Sequence, residues 1–191
     1  KWETKEPAVW CGARNAYITW IDKREGFWSV FFRRWGENQN SSEIKLSSIF
    51  NCSSPSIGGI EPNVYVAWQC LEEHSVYRDI YASYSKNHGN EWSKANRLTY
   101  GEAESILPKV IVSRATSSDL NPSAWLFWQD GRNGDWEIFY STMIDGEISD
   151  VESLISSDNP LIMPDAITTS GQIHLFWTNI VSDLQSNLFY V

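Results

Sequence analysis

Histidine and cysteine are both scarce, three of each in 191 residues, and none of the six has the paired spacing that holds a metal ion. No metal site and no cofactor are therefore expected. Cations are few as well: 15 Lys and Arg against 24 Asp and Glu leave a net charge of -9, which repels phosphate backbones and anionic membranes alike. Nucleic acid is excluded as a general partner. No apolar run approaches the roughly 18 residues of a membrane-spanning helix, the densest stretch being Ala124 to Trp128, so no transmembrane segment is expected. The chain opens at Lys1 without the charged and apolar regions of a signal peptide, which is expected to be absent or already removed. Helical periodicity is missing too. What remains is a chain of ordinary globular composition, 42% apolar and 20% charged, long enough for one domain over residues 1–191.

Aromatic residues are abundant instead: 11 Trp, 8 Tyr and 8 Phe. Many of them recur at a fixed period. The segments Tyr17–Trp20, Tyr65–Trp68, Trp125–Trp128 and His174–Trp177 align without gaps, each a short β-type run ending in Trp, and the Trp spacings are 48, 60 and 49. Thirteen residues before three of these Trp stands a proline, Pro7, Pro55 or Pro164. In the long interval the proline is Pro108, displaced by an insertion from Ala115 to Pro122. A third run follows each Trp (Val30–Phe32, Ile80–Ala82, Ile138–Tyr140, Leu188–Tyr190), and a fourth follows in three units (Ile44–Leu46, Arg97–Thr99, Ser153–Ile155).

Four short strands per unit of about 48 residues, separated by Gly, Asn, Asp and Ser turns, predict an all-β β-propeller of four blade-like repeats around Trp20, Trp68, Trp128 and Trp177. These four Trp are expected in the core. The interval from Trp177 round to Trp20 is 34 residues, too short for a fourth strand, so the last blade is trimmed. A closed four-bladed ring is expected, because an open stack would leave two large apolar faces in water; part of a larger propeller is the alternative. Unpaired strands near Lys1 and Val191 would then allow self-association.

The segment Ser85-Lys-Asn-His-Gly89-Asn-Glu-Trp92 resembles the Asp-box of sialidase-like propellers, S-x-D-x-G-x-T-W, with Asn87 for Asp and Glu91 for Thr. Ser141 to Gly146 is a degraded second copy. The stretch from Trp128 through Asp130, Arg132 and Gly134 to Ser141 is similar to the sequence preceding such boxes, and Trp20 to Gly26 repeats it. The resemblance implies a structural hairpin in which Ser85, Asn87, Gly89 and Trp92 lock the loop. The repeated offsets of Asp22 with Arg24, and of Asp130 with Arg132, suggest turn-locking ion pairs.

The resemblance also raises catalysis. Sialidases imply an arginine triad for the substrate carboxylate, a Tyr nucleophile with a Glu partner and an Asp acid/base. This sequence has no F-R-I-P-type opening: Pro7 follows Lys5-Glu6, and Pro55, Pro108 and Pro164 follow Ser, Leu and Met. No catalytic residue is assigned, and a sialidase-like glycoside hydrolase or a fragment of one stays the alternative to a non-catalytic recognition or adhesion module. A protein-interaction scaffold is the third reading. Trp28 and Trp136, eight residues after their repeat Trp, stand on loops of the usual ligand face with Arg78 and Asp135. Each Trp either stacks on a sugar ring or folds down over the next blade. A glycan or glycoprotein surface is the expected partner.

Cys52 and Cys70 reach the same blade edge and can pair in an oxidising compartment, leaving Cys11 as a buried free thiol. Asn40-Ser-Ser42 and Asn51-Cys-Ser53 fit the N-glycosylation pattern. Together these features point to an extracellular or cell-surface protein.

Overall fold

A computed structural model describes residues 3–36, 40–48, 51–114, 122–182 and 185–190. It contains four antiparallel sheets, and no helix occurs among those residues. Sheet 1 is the meander β1 (Thr4–Cys11), β2 (Asn15–Asp22), β3 (Ser29–Gly36) and β4 (Ile44–Lys45). Sheet 2 repeats it with β5 (Cys52–Ile60), β6 (Asn63–Leu71), β7 (Arg78–Ser85) and β8 (Asn96–Arg97). Sheet 3 has β9 (Ser105–Ser113), β10 (Ser123–Asp130) and β11 (Glu137–Ile144), whose outer edge pairs with both β12 (Glu147–Ile148) and β13 (Glu152–Ile155). Sheet 4 has three strands, β14 (Leu161–Thr169), β15 (Gln172–Ser182) and β16 (Gln185–Tyr190).

The sheets stack in chain order, and their first strands β1, β5, β9 and β14 pack side by side along the inner edge. Each interface joins the odd-numbered face of one second strand to the repeat Trp of the next. Tyr17, Ile21 and Phe32 of sheet 1 enclose Trp68; Tyr65, Ala67 and Ile80 of sheet 2 enclose Trp128; Phe127 and Ile138 of sheet 3 enclose Trp177. Seven consecutive residues of β6 are buried, because sheet 2 is covered on both faces, whereas β2 and β15 show mainly alternating burial. Period-two burial is the signature of a sheet covered on one side.

Three expectations are corrected here. No strand of sheet 1 packs extensively on a strand of sheet 4 among the described residues, so the stack is open and not a closed four-bladed ring. Trp20 is consequently half-buried, while Trp68, Trp128 and Trp177 are 1%, 0% and 8% exposed. Its indole stacks on Phe31 within its own sheet, at 6.1 Å between ring centroids, and no other sheet encloses it among the described residues. Cys11 is also exposed rather than buried, because it ends the edge strand β1. Residues 115–121 of the insertion and both chain ends, Lys1 and Val191, lie outside the described residues.

The Ser85–Trp92 segment closes the hairpin between β7 and β8. Ser85 Oγ accepts the amide of Gly89 at 2.9 Å, Asn87 Oδ1 accepts the amide of Glu91 at 2.9 Å, and Trp92 Nε1 donates to the Gly89 carbonyl at 3.2 Å. Gly89 has φ +77°, and a Cβ there would lie 2.3 Å from the Phe32 ring of sheet 1. Trp92 packs edge-on against the same ring at 4.7 Å. The loop is thus part of the sheet 1–sheet 2 seam.

Candidate functional site

One register position sets the rim at the end of the sheets that carries Asp22, Cys70, Asp130 and Asn179. Across the first two strands of each sheet, the facing pairs are Thr4 with Asp22, Cys52 with Cys70, Ser105 with Asp130 and Leu161 with Asn179. In sheet 3 the fully buried Asp130 carboxylate accepts from Ser105 Oγ, Trp128 Nε1, and Arg132 Nε and Nη2 at 2.7–2.9 Å. In sheet 1, Asp22 accepts the Arg24 amide at 2.7 Å and Nη2 at 2.6 Å, and Arg24 reaches Glu43 at 2.6 Å with its other nitrogen. Sheet 2 fills the position with the Cys52–Cys70 disulfide. Its ion pair moves to Asp79, which accepts from Thr99 Oγ1, the Gly101 amide and Arg97 Nη2 at 2.6–2.8 Å.

Every rim arginine is thereby held by a carboxylate. Arg78, a candidate ligand residue, is bound by Glu104, which also accepts its amide at 3.0 Å. The free cationic cluster that an anionic sugar requires does not form from Arg24, Arg78, Arg97 or Arg132.

The Arg24 hydrogen bond chiefly holds the Asp22 carboxyl below its ordinary range. Burial pushes Asp130 upward, but hydrogen bonds from Arg132, Trp128 and Ser105 outweigh it and the net direction is again down. A carboxyl depressed by folding stabilises the protein above its unfolded value, near 4, and that stability is lost as pH falls through the folded value. The urea midpoint is therefore expected to fall below about pH 4, and Asp130→Asn to flatten that fall while costing about 1–3 kcal/mol at neutral pH. An Asp130→Asn protein that retained the wild-type acid slope would show that Asp130 is not the linked group.

Trp28 and Trp136 occupy matching places. The Trp28 carbonyl accepts the amide of Cys52, first residue of β5, at 3.0 Å, and the Trp136 carbonyl accepts the amide of Leu161, first residue of β14, at 2.7 Å. The half-buried Trp28 ring packs on the sheet 1–sheet 2 core beneath the ammonium of Lys5, 4.7 Å from its centroid. Trp136 is half-buried near Gly131, and Asp135 beside it is exposed. The two indoles stand at the first and third inter-sheet steps, and the structure does not bring them together.

A groove of about 480 Å³ lies instead where the four inner strands converge. Each inner strand bulges at its repeat proline, and the preceding residues, Glu6, Ser54, Leu107 and Met163, take left-handed φ of 51°, 51°, 55° and 56°. Partners on adjacent strands hold three of these bulges. The Ser54 amide donates to Glu6 Oε2 at 2.5 Å, the Leu107 amide to Gln69 Oε1 at 2.6 Å, and the Met163 amide to Gln129 Oε1 at 3.2 Å. Gln69 and Gln129 immediately follow repeat Trp and are buried. Ser54, Leu107 and Met163 line the groove with Pro55, Pro108 and Pro164. Lys109 and Asp165 form its ion pair, at 2.5 Å. Sequence reasoning missed these residues; the signal available was the proline one position after each bulge residue.

A second polar cluster sits near the opposite ends of the strands. The buried Tyr17 phenol donates to Glu61 Oε1 at 2.7 Å and lies 3.1 Å from His88 Nδ1, while Asn15 Nδ2 donates to the same Glu61 oxygen at 2.9 Å. Burial, reinforced by Glu61, drives the Tyr17 pKa up. Fully enclosed and bonded to Glu61, the phenol clamps sheet 1 to sheet 2.

No family model matches the chain, and no curated protein matches its sequence. Solved structures do share the fold. An α-L-arabinanase of Penicillium chrysogenum complexed with arabinobiose aligns over 98% of this chain and 62% of its own length, at 10% identity and a TM-score of 0.67. The subtype N10 neuraminidase-like protein of A/little yellow-shouldered bat/Guatemala aligns over 100% and 59%, at 13% identity and a TM-score of 0.65. A GH62 hydrolase in complex with xylotriose aligns over 98% and 64%, at 12% identity and a TM-score of 0.59. The chain spans about three fifths of the length of these proteins, and at such identities the likeness is one of fold.

Proposed function

We propose that this chain is a non-catalytic carbohydrate-recognition module with a β-propeller-type architecture, working outside the cell, with the central groove as its binding site. The carrying observation is that the groove combines three proline rings and Met163 with the Ser54 hydroxyl and the Lys109–Asp165 pair, while every rim arginine is neutralised. Apolar ring edges suit the C–H face of a sugar, and a carboxylate beside an ammonium suits its vicinal hydroxyls. That chemistry favours neutral saccharides over acidic ones. Sugar complexes of the arabinanase and the GH62 hydrolase support the class, and the Cys52–Cys70 disulfide supports an oxidising compartment. Trp136 and Asp135 form the outer contact in this reading.

A glycoside hydrolase is the second reading, favoured by Glu6 beside the groove and Asp165 within it, and by the hydrolases of the same fold. It needs one carboxyl as proton donor. Asp165 is already engaged by the Lys109 ammonium and Glu6 by the Ser54 amide, so neither carboxyl points free into the groove as a donor.

Calorimetric titration with arabino- and xylo-oligosaccharides tests the proposal. Asp165→Asn is expected to lower affinity at least tenfold, about 1.4 kcal/mol, with an unchanged melting temperature, and Trp136→Ala severalfold, measured well below the melting transition of that variant. Failure to bind any neutral glycan would overturn the proposal. Release of reducing ends, abolished in Asp165→Asn, would replace it with the hydrolase reading.

A further inference from the structure

The three internal interfaces are one design repeated: an odd-numbered face receives the Trp of the following sheet. Among the described residues, one copy of each half meets no other sheet. On sheet 1, Trp20 occupies the register of Trp68, Trp128 and Trp177, and the strand pairing places Ile18, Val9 and Trp35 on its side. Trp35 is 55% exposed, and a depression of about 530 Å³ lies between it and Trp20. On sheet 4, the pairings Ile167 with His174 and Leu188 with Thr178 put Ile167 and Leu188 on the face that, in sheets 1 to 3, receives the next Trp. Leu188 is 73% exposed.

From this we infer that the sheet 4 face of one molecule docks on the sheet 1 face of a second copy, with Trp20 entering between them as Trp68 enters against sheet 1. The occupant follows from continuity: the partner that a Trp-bearing face has at all three internal steps is the opposite face of another such sheet, and this chain carries both. The outer part of the sheet 1 face departs from the pattern, since Arg33 and Trp35 stand where sheet 2 has Ser83 and Ser85 and sheet 3 has Ser141 and Met143. Sheet 4 has no fourth strand there among its described residues, so the contact centres on the inner half of each face. The association is head-to-tail, and each copy keeps a further free face for ring or chain growth.

Sedimentation equilibrium of the 191-residue chain across the micromolar range tests this without reference to any glycan. The wild type is expected to form dimers and larger species with rising concentration, and Trp20→Ser or Leu188→Lys to stop growth. An equimolar mixture of the two variants is expected to give a 1:1 dimer and nothing larger, because one intact face of each kind remains. Trp35→Glu serves as the sheet 1 variant if Trp20→Ser loses its near-UV circular dichroism. A wild type monomeric throughout, or variants that stay monomeric when mixed while the wild type associates, overturns the inference. So does a longer polypeptide with further repeats that is monomeric and shields Trp20 in cis.

Discussion

Trp128→Ala is expected to lower the unfolding free energy by about 3–5 kcal/mol, measured by urea denaturation at neutral pH. The indole is fully buried between sheets 2 and 3, so truncation leaves a cavity that two packed sheets cannot close by shifting one side chain. It also removes the Nε1–H that Asp130 accepts at 2.9 Å. Trp128→Phe separates the effects, keeping most of the volume and losing the donor, and should cost clearly less. In the monomer, at concentrations too low for self-association, Trp20→Ala, at the same repeat position but half-exposed, should cost roughly half as much as Trp128→Ala. Equal losses at the two positions would mean that the sheet 1 face is covered in solution.

Breaking the Cys52–Cys70 bond should have the next largest effect. The bond ties residues 18 apart, and a loop of that size constrains the unfolded chain by about 3 kcal/mol. In sheet 3 the equivalent position is secured by the five-donor shell of Asp130, including Ser105 from the facing strand, but sheet 2 has no carboxylate there. The double variant Cys52→Ala, Cys70→Ala is therefore expected to lose about 2–4 kcal/mol, and reductant to lower the wild-type midpoint to that of the variant. A double variant within about 0.5 kcal/mol of the wild type would show that the rim holds itself without the bond.

The repeated units were legible because their signals are local. Trp20, Trp68, Trp128 and Trp177 lie in second strands, the missing fourth run after Leu188–Tyr190 corresponds to a three-stranded sheet, and Asp22 and Asp130 reach arginines only two residues away. What depends on neighbours was not legible. Trp20 reads like its three counterparts, yet its burial is decided by whether a sheet stands before it. Arg78 finds Glu104 and Arg97 finds Asp79 across 26 and 18 residues, distances at which no spacing rule operates. The groove was hidden for a different reason. A residue before proline is normally expected to be extended, so the sequence argued against the left-handed backbone at Glu6, Ser54, Leu107 and Met163.

Those four positions have a consequence for how this scaffold can vary. A non-glycine residue at positive φ is sustained by its surroundings, and at Ser54, Leu107 and Met163 the surroundings are the proline ring and a side chain on another strand that takes the amide. None of that support comes from the residue's own side chain. Glu, Ser, Leu and Met already occupy equivalent places with nearly the same φ. The side chains at the groove are thus interchangeable parts on a fixed frame, and a change of ligand preference can accumulate there one residue at a time while the packing between the sheets stays as it is.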